Sequence, residues 1–247
     1  MSLFATEGLA KAYGGVRAVD ALSLSVAAGE MVALIGPNGA GKSTAFDLMT
    51  GHRRPDAGRV LLGGRPLPRL APRAAWAAGI ARTFQVASVF ASMSAAENVQ
   101  MALAARHRRL FALLPAAARL HRAEAEDLIL RVGLAEPDAP AAELAHGDVK
   151  RLEMAMALAG APRVLLMDEP TAGMAPDARG DLMRLVASLA RDDGLAVLFT
   201  EHDMDIVFAH ADRVLVMDRG RLIAAGAPAA VRADPGVRAV YLGQDDA

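Results

Sequence analysis

The chain of 247 residues contains no cysteine. Disulfide bonds and thiolate metal ligands are therefore excluded, and the composition fits a reducing compartment. An excess of charge of one sign is also missing, because 27 basic and 28 acidic side chains leave a formal net charge of −1. No global charge attracts the protein to nucleic acid or anionic lipid, so we expect no nucleic-acid partner.

Long hydrophobic runs are absent as well. No stretch approaches about 18 consecutive apolar residues, the length that would indicate a membrane span. Residues 1–7 have neither the basic start nor the apolar segment of a targeting peptide. We therefore expect a soluble, cytoplasmic α/β protein.

Lysine is scarce, and one of the three lysines lies in a glycine-rich segment between a predicted strand (31–35) and a predicted helix (45–50). In that setting the pattern G-x-x-x-x-G-K-[ST] predicts a phosphate-binding loop, whose backbone N–H groups and helix dipole face phosphate oxygens. Lys42 would bring its charge to the β- and γ-phosphates, and Ser43 would ligate Mg²⁺. The sequence therefore predicts a nucleoside triphosphate site. The loop residues expected to bind it are Gly36, Pro37, Asn38, Gly39, Ala40, Gly41, Lys42, Ser43 and Thr44.

Strand and helix patterns alternate along the chain. The first 65 residues have β-hairpin character, because residues 21–26 alternate with period two and the turn at Ala28-Gly29 leads from them into the strand 31–35. Residues 93–159 are helical in pattern. This alternation predicts a mainly parallel sheet with helices on both faces. Further strands are predicted at 59–62, 80–84, 164–167, 195–200 and 214–217, and helices at 71–78, 98–110, 116–134 and 149–158.

The helical region opens with Ser94 and Glu97, which resemble a capping box. It also carries a basic cluster, which is either a solvated helix face or a face turned toward membrane headgroups. The cluster consists of Arg106, His107, Arg108, Arg109, Arg119, His121 and Arg122.

Polar residues follow the ends of three predicted strands: Gln85, the pair Asp168-Glu169, and His202. The carboxyl ends of parallel strands meet at one edge of a sheet, where ligands bind. There Asp168 could hold Mg²⁺ through its water shell, and Glu169 could reach a water that attacks the γ-phosphate. His202 could contact that phosphate, and the amide of Gln85 could approach Mg²⁺ or the water.

These residues, together with the segment 144–148, resemble the ATP-binding subunits of ABC transporters in order and spacing over essentially the whole chain. The resemblance implies a P-loop NTPase core with a mainly parallel sheet, an N-terminal antiparallel β subdomain and an inserted α-helical subdomain. We expect a single ABC ATPase domain over 1–247, with its core at about 1–85 and 161–247. The helical subdomain would span about 86–160.

The resemblance also implies roles. Glu169 would be the general base, His202 the γ-phosphate sensor, Gln85 the link to the membrane partner, and Tyr13 the residue stacked on adenine. ATP and Mg²⁺ are the implied cofactors, with Ser43, Gln85 and Asp168 as metal ligands. Two ATPase subunits, identical or paralogous, would sandwich the nucleotides head to tail. The segment that caps the γ-phosphate held by the other subunit is Ala145, His146, Gly147 and Asp148.

Two positions depart from the family pattern. The usual segment Ser-Gly-Gly-Gln reads Ala145-His146-Gly147-Asp148 here, which removes a hydroxyl hydrogen bond worth about 1.5–3 kcal/mol to a charged acceptor. The following loop has Ala175 where the family usually has Asp, which weakens a contact between the two active sites. Because Asp168, Glu169 and His202 are present, we interpret both departures as features of a subfamily.

Three features resemble the branched-chain amino acid type of bacterial importer: residues 83–85 followed by 94–99, the loop 172–176, and the tail 234–243. We therefore expect an ATPase on the inner face of the cell membrane that powers uptake of such amino acids, or of a related amino acid, amide or organic acid. Its partners would be permeases and, indirectly, a periplasmic solute-binding protein. The alternatives are the ATPase of a lipopolysaccharide-type exporter, a soluble ABC ATPase without a transporter, and an unrelated P-loop GTPase or kinase.

Overall fold

The structure is a computed structural model that describes residues 2–67, 71–83, 89–107 and 121–242, with side chains up to residue 240. Its strands are β1 (Ser2–Tyr13), β2 (Val16–Ala27), β3 (Met31–Ile35), β4 (Ala57–Leu62), β5 (Arg65–Pro66), β6 (Ile80–Thr83), β7 (Val164–Asp168), β8 (Ala196–Thr200), β9 (Arg213–Asp218) and β10 (Arg221–Gly226). Its helices are α1 (Lys42–Thr50), α2 (Pro72–Ala77), α3 (Ala95–Arg106), α4 (Arg122–Arg131), α5 (His146–Ala159), α6 (Pro176–Asp193), α7 (Met204–His210), α8 (Pro228–Ala233) and α9 (Pro235–Leu242).

The main sheet has the strand order β10-β9-β3-β8-β7-β6. Five of its strands are parallel, and β10 pairs antiparallel with β9 at one edge. Every residue of β3 and of β8 is buried, as expected for central strands of a sheet covered on both faces. The predicted mainly parallel sheet is confirmed, and the carboxyl ends of β3, β6, β7 and β8 lie along one edge.

A second sheet of four antiparallel strands has the order β2-β1-β4-β5. A β-hairpin is present in the N-terminal part, but it is formed by β1 and β2, whose register pairs Phe4 with Val26 and Thr6 with Leu24. The hairpin predicted between 21–26 and the strand 31–35 is wrong, because β2 and β3 belong to different sheets. The sequence analysis did not identify β1, because its residues lack a clear period-two pattern. Its first half nevertheless buries Phe4 and Thr6.

The two faces of the main sheet belong to two separate hydrophobic clusters, as β3 shows. Ala33 and Ile35 pack into the cluster that contains residues of α3 to α6, whereas Val32 and Leu34 pack into the cluster that contains α1 and the N-terminal sheet. This split follows from the alternation of side chains along a strand. Complete burial of a side chain such as Leu34 stabilises the fold by about 1.5–3 kcal/mol.

The first helix of the 93–159 region begins at a complete capping box. The Glu97 N–H donates to Ser94 Oγ at 3.2 Å, and the Ser94 N–H donates to Glu97 Oε2 at 2.8 Å. The capping box is thus confirmed, but α3 begins at Ala95 rather than at Asn98, because helical residues follow the cap at once. Residues 108–120, where the first helix was expected to end and the second to begin, lie outside the described ranges.

The helix predicted to begin at Val149 was placed too late. In the structure α5 begins at His146 with Ala145 as its N-cap residue. The segment 145–148 is therefore the N-terminus of a helix, where the positive end of the helix dipole lies. Within it, the Asp148 N–H donates to the Ala145 carbonyl at 2.9 Å.

Candidate active site

The glycine-rich loop connects β3 to α1, as the sequence predicted, and close packing requires its glycines. A Cβ atom on Gly36 would lie 2.0 Å from the Met217 carbonyl oxygen, and one on Gly41 would lie 2.1 Å from the Ala18 carbonyl oxygen. Gly41 also has a φ of 103°, which only glycine adopts without strain. The loop therefore keeps its backbone close to two neighbouring segments while its N–H groups lead into α1.

The remaining loop residues divide between solvent and interior. Asn38, Gly39 and Ser43 are exposed, and Pro37 and Thr44 are half-buried. Ala40 is buried, and its N–H donates to the Pro37 carbonyl at 3.1 Å. The Ser43 hydroxyl thus lies at the accessible side of the first turn of α1, where a ligand can reach it.

Lys42, the charged residue of the loop, is buried, with 8% of its surface exposed. Its Nζ donates to the carbonyl oxygens of Gly36 at 2.6 Å and Pro37 at 3.1 Å. Burial lowers the pKa of Lys42, and the negative charges of Glu169 and Asp168 oppose that shift. The ammonium group is therefore held inside the loop, within the electrostatic range of the predicted base Glu169 and the predicted metal ligand Asp168.

Asp168 ends β7 and accepts a hydrogen bond on each carboxylate oxygen. Arg82 Nη2 donates to Oδ2 at 2.8 Å, and Thr200 Oγ1 donates to Oδ1 at 2.8 Å. The same Arg82 donates to Asp47 of α1 at 2.7 Å. This bridge fixes the Asp168 carboxylate relative to the helix that follows the phosphate loop, and the remaining lone pairs of its oxygens stay available to a hard cation or its water shell.

Glu169 has a backbone φ of 49°, in the left-handed region that glutamate rarely adopts. Its N–H donates to the carbonyl oxygen and to Oγ1 of Thr200, both at 3.1 Å. Its Oε1 accepts a hydrogen bond from Nε2 of His202 at 2.8 Å. The structure thus pairs two residues predicted to be catalytic, and the strained backbone at Glu169 is of the kind found at functional sites.

The remaining predicted site residues are Tyr13, the segment 145–148 and Gln85. Tyr13 ends β1 with 40% of its surface exposed, and its ring lies 5.6 Å from Nζ of Lys11 and 5.9 Å from the guanidinium of Arg53. Ala145 and His146 are exposed, and Gly147 and Asp148 are half-buried. Gln85 lies outside the described residues.

Sequence reasoning missed the buried polar residues that support the catalytic pair. Glu201 is 5% exposed, and its carboxylate accepts from the N–H of Thr171 at 2.9 Å and from Thr171 Oγ1 at 2.7 Å. Thr200 and Arg82 belong to the same set. The sequence did show that these residues lie at or near the ends of predicted parallel strands. Only the register of the sheet shows which hydrogen-bond partner each side chain has.

The described members of the basic cluster are paired with carboxylates. Arg106, His107 and His121 lie within 4.0 Å of Glu124, and Arg122 pairs with acidic residues of its surroundings. This pairing favours the interpretation as a solvated helix face. His107, His121 and Glu124 form a group with metal-ligand chemistry, but the two imidazole rings are stacked only 12° from parallel, so one ion cannot lie in both ring planes.

Known protein families match most of the chain. The ABC transporter family matches residues 19–172. The chain belongs to this family, as an ATP-binding cassette. The branched-chain amino acid ATP-binding cassette transporter family matches residues 221–247. The GTPase and kinase interpretation is therefore wrong, and the expected ATPase class is confirmed.

Curated relatives align with the chain from end to end. The high-affinity branched-chain amino acid transport ATP-binding protein LivG of Salmonella typhimurium is 37% identical over 253 aligned positions, which cover 98% of each protein. Its counterpart BraF of Pseudomonas aeruginosa is 36% identical over 248 positions, 96% of each. The lipopolysaccharide export system ATP-binding protein LptB of Escherichia coli is 37% identical over 246 positions, 99% of each.

Solved structures agree with this assignment. A nucleotide-free ATP-binding cassette from an ABC transporter superposes with a TM-score of 0.87 at 31% identity, covering 98% of this chain and 99% of that one. An ADP conformation of an ATP-binding cassette gives a TM-score of 0.85 at 30% identity with the same coverage. The cassette is thus a nucleotide-binding ATPase subunit of an ABC transporter. Among the helices in the described part of the chain, none is long and apolar enough to cross a membrane.

Proposed function

We propose that the cassette powers uptake of branched-chain amino acids, or of a related amino acid, amide or organic acid, through separate membrane permeases. The observation that carries this proposal is the match of residues 221–247 to the branched-chain amino acid transporter family. The names of the relatives LivG and BraF support it. The cassette would lie on the cytoplasmic face of the membrane and depend indirectly on a periplasmic solute-binding protein.

In the proposed reaction Glu169 is the general base. Its carboxylate removes a proton from the water that attacks the γ-phosphate, and His202 orients that carboxylate through the 2.8 Å bond to Oε1. Lys42 supplies positive charge to the β- and γ-phosphates once its loop carbonyl partners are exchanged for phosphate oxygens. Tyr13, with 40% of its surface exposed, is the residue proposed to stack on adenine, and Lys11 and Arg53 lie near its ring.

Mg²⁺ fits the oxygen donors at this edge of the sheet. The exposed Ser43 hydroxyl and the Asp168 carboxylate would hold the ion, with Gln85 as the third proposed ligand, and the ion would neutralise charge on the phosphates. Arg82 and Thr200 would not bind the ion, because both donate hydrogen bonds to the Asp168 carboxylate and hold it in one orientation.

Two cassettes, identical or paralogous, would complete each site. The N-terminus of α5, residues 145–148, presents backbone N–H groups and the positive end of a helix dipole, which suit a γ-phosphate held by the other subunit. Backbone N–H groups would carry this contact, because Ala145 lacks a hydroxyl, the Asp148 carboxylate can only accept hydrogen bonds, and Nε2 of His146 is bonded to the Ala172 carbonyl. We further propose that residues 86–160 form a lobe that moves on the core of 1–85 and 161–247 and that Gln85 links the two.

Lipopolysaccharide-type export is a second candidate, favoured by the 37% identity to LptB. Reconstitution into lipid vesicles distinguishes uptake of these solutes from lipopolysaccharide-type export. The cassette, its permeases and the binding protein are placed in proteoliposomes, and ATP-dependent uptake of labelled leucine, urea and benzoate is compared with an Lys42→Ala complex. Accumulation of leucine supports the proposal. ATP turnover without uptake of any of the three solutes would overturn it.

A further inference from the structure

The loop that follows Glu169, residues 170–175, is held by hydrogen bonds to three different elements. At its start Thr171 donates from N–H and Oγ1 to Glu201 at the end of β8. At its end the Met174 carbonyl accepts from Nε of Arg179 in α6 at 2.8 Å. Both anchoring residues lie C-terminal to the loop in sequence: Glu201 directly follows β8, and Arg179 lies in α6.

The third anchor is His146, the first residue of α5. Its Nε2 lies 3.0 Å from the carbonyl oxygen of Ala172. Because a carbonyl can only accept, Nε2 must carry the proton, which leaves Nδ1 as the acceptor atom of the neutral ring.

The fit between the loop and α5 is close. A Cβ on Gly173, whose φ is 75°, would lie 3.2 Å from Nε2 of His146. Met174 is 5% exposed, and its Cε lies 3.5 Å from the position of a Cβ on Gly147. Glycine at 173 and a short residue at 147 therefore allow the loop to pack onto the helix N-terminus.

The same loop is continuous with the catalytic pair. The Ala172 N–H donates to the Glu169 carbonyl at 3.2 Å, so the residue held by His146 also closes the turn that begins at Glu169. On the other side, Arg179 pairs with Asp203 at 2.9 Å, and Asp203 directly follows His202. A shift of α5 relative to the loop would therefore be transmitted to the backbone that orients Glu169.

We propose that His146 is a positioning residue for ATP hydrolysis. Its side chain connects the N-terminus of α5, which would contact the nucleotide held by the second cassette, to the loop that begins at Glu169. Binding of nucleotide at one site would thereby orient the general base of the other site. This inference rests on the proposed roles of Glu169 and of segment 145–148. It assigns a function to a histidine at a position where the family usually has glycine, in a chain that also lacks the usual Asp at Ala175.

The test is a set of substitutions at one position. His146→Ala removes the donor, and kcat for ATP should fall about threefold to tenfold while KM for ATP stays unchanged. His146→Gln places an amide N–H at similar reach and should restore most of the loss. His146→Leu fills the volume without a donor and should stay low. His107→Ala, which removes a histidine in the helical region, is the matched control and should leave kcat unchanged.

A double substitution tests whether the effect passes through the loop. His146→Ala and Arg179→Ala should together lower kcat by less than the product of their separate effects, because both release the same segment. Equal kcat in the Gln and Leu variants would overturn the proposal, and so would an unchanged kcat in the Ala variant. If the alanine variant does not fold, the Gln and Leu comparison decides alone.

Failure here is distinguishable from failure of the proposed function. Purified cassette that hydrolyses ATP in a Glu169-dependent manner, with unaltered kcat in the His146 series, refutes only the positioning role. Loss of Glu169 dependence refutes the base assignment. Absence of uptake of leucine, urea and benzoate by the wild-type complex refutes only the transported class.

Discussion

Thr200 Oγ1 donates to Asp168 and accepts from the Glu169 N–H, at 2.8 and 3.1 Å. A single hydroxyl thus sets the relative orientation of the proposed metal-binding carboxylate and the residue that carries the proposed base. The parallel pairing of Asp168 with Thr200 across β7 and β8 makes this possible. His202, two residues after Thr200, then reaches the Glu169 side chain.

The first prediction follows from that arrangement. Glu169→Gln should lower the steady-state rate of ATP hydrolysis by about 100-fold or more, because the amide cannot accept the proton of water. The affinity for nucleotide should stay intact. Lys42→Ala should instead lose nucleotide affinity. Phosphate release and fluorescent-nucleotide binding are the two measurements. Near-normal turnover of the glutamine variant would exclude Glu169 as the base.

The second prediction concerns the two-chain site. If segment 145–148 of a second cassette completes the site, the ATPase rate of the isolated subunit should rise faster than linearly with protein concentration. Glu169→Gln protein with ATP should elute as a dimer in size-exclusion chromatography, because hydrolysis no longer ends the closed state. A rate proportional to enzyme concentration over the whole dilution range would indicate a site complete in one chain.

The third prediction concerns the phosphate loop. Gly41→Ala should lower the free energy of unfolding by about 2–3 kcal/mol, since the methyl group meets the Ala18 carbonyl and the φ of 103° is strained. Gly194→Ala is the matched control, because it also has a positive φ but nothing within 4 Å, and it should cost about 1 kcal/mol. Urea unfolding of both variants measures the difference. Equal losses would show that the packing against Ala18 does not matter.

The sequence predicted those parts of the site that depend on local chain order. The strand, loop and helix over 31–50 were found because their signals are contiguous, and Asp168, Glu169 and His202 were placed at one sheet edge because parallel strands end there. The supporting bonds of Arg82 and Glu201 were not found, since they depend on which strands become neighbours. The start of α5 was missed because Ala145 supplies no capping side chain and Gly147 weakens the helical pattern.

The fourth prediction concerns pH and stability. Burial raises the pKa of Glu30, but the hydrogen bonds from Arg213 and the Ala27 N–H, with the Arg213 charge, bring it below 4.5. A carboxylate with a lowered folded pKa stabilises the fold above its unfolded pKa, and that contribution is lost as the pH falls through the folded value. The stability gap between wild type and Glu30→Gln should therefore be wide at pH 6 and shrink below about pH 4.5.

Chemical unfolding at several pH values measures that gap. Glu143→Gln, which removes an exposed carboxylate, is the control and should leave the free energy of unfolding at pH 6 unchanged. A constant difference between wild type and Glu30→Gln across this range would mean that the pair with Arg213 contributes nothing specific to the ionised form.

The fifth prediction concerns the surface expected to meet a permease. Val89 and Phe90 follow shortly after Gln85, the expected link to the membrane partner, and two roles are open to them: contact with that partner, or packing of the helical region onto the core. The structure separates the two residues: Val89 packs against the core cluster, whereas Phe90 is 50% exposed. Its backbone is nevertheless fixed, because the Phe90 N–H donates to Oδ1 of the buried Asn98 at 2.7 Å. An exposed aromatic side chain on a fixed backbone suits a contact with another protein.

The two neighbouring residues therefore provide a matched pair of substitutions. Phe90→Asp should leave the thermal unfolding temperature and the ATPase of the isolated cassette unchanged but abolish co-purification with the permeases, because a charge replaces an apolar contact. Val89→Asp should lower the unfolding temperature, since it places a carboxylate against the hydrophobic core cluster. Retention of the permeases by the Phe90→Asp protein would remove this residue from the interface. Unfolding of that protein would instead show that Phe90 packs within the cassette, although half of its surface is open to solvent.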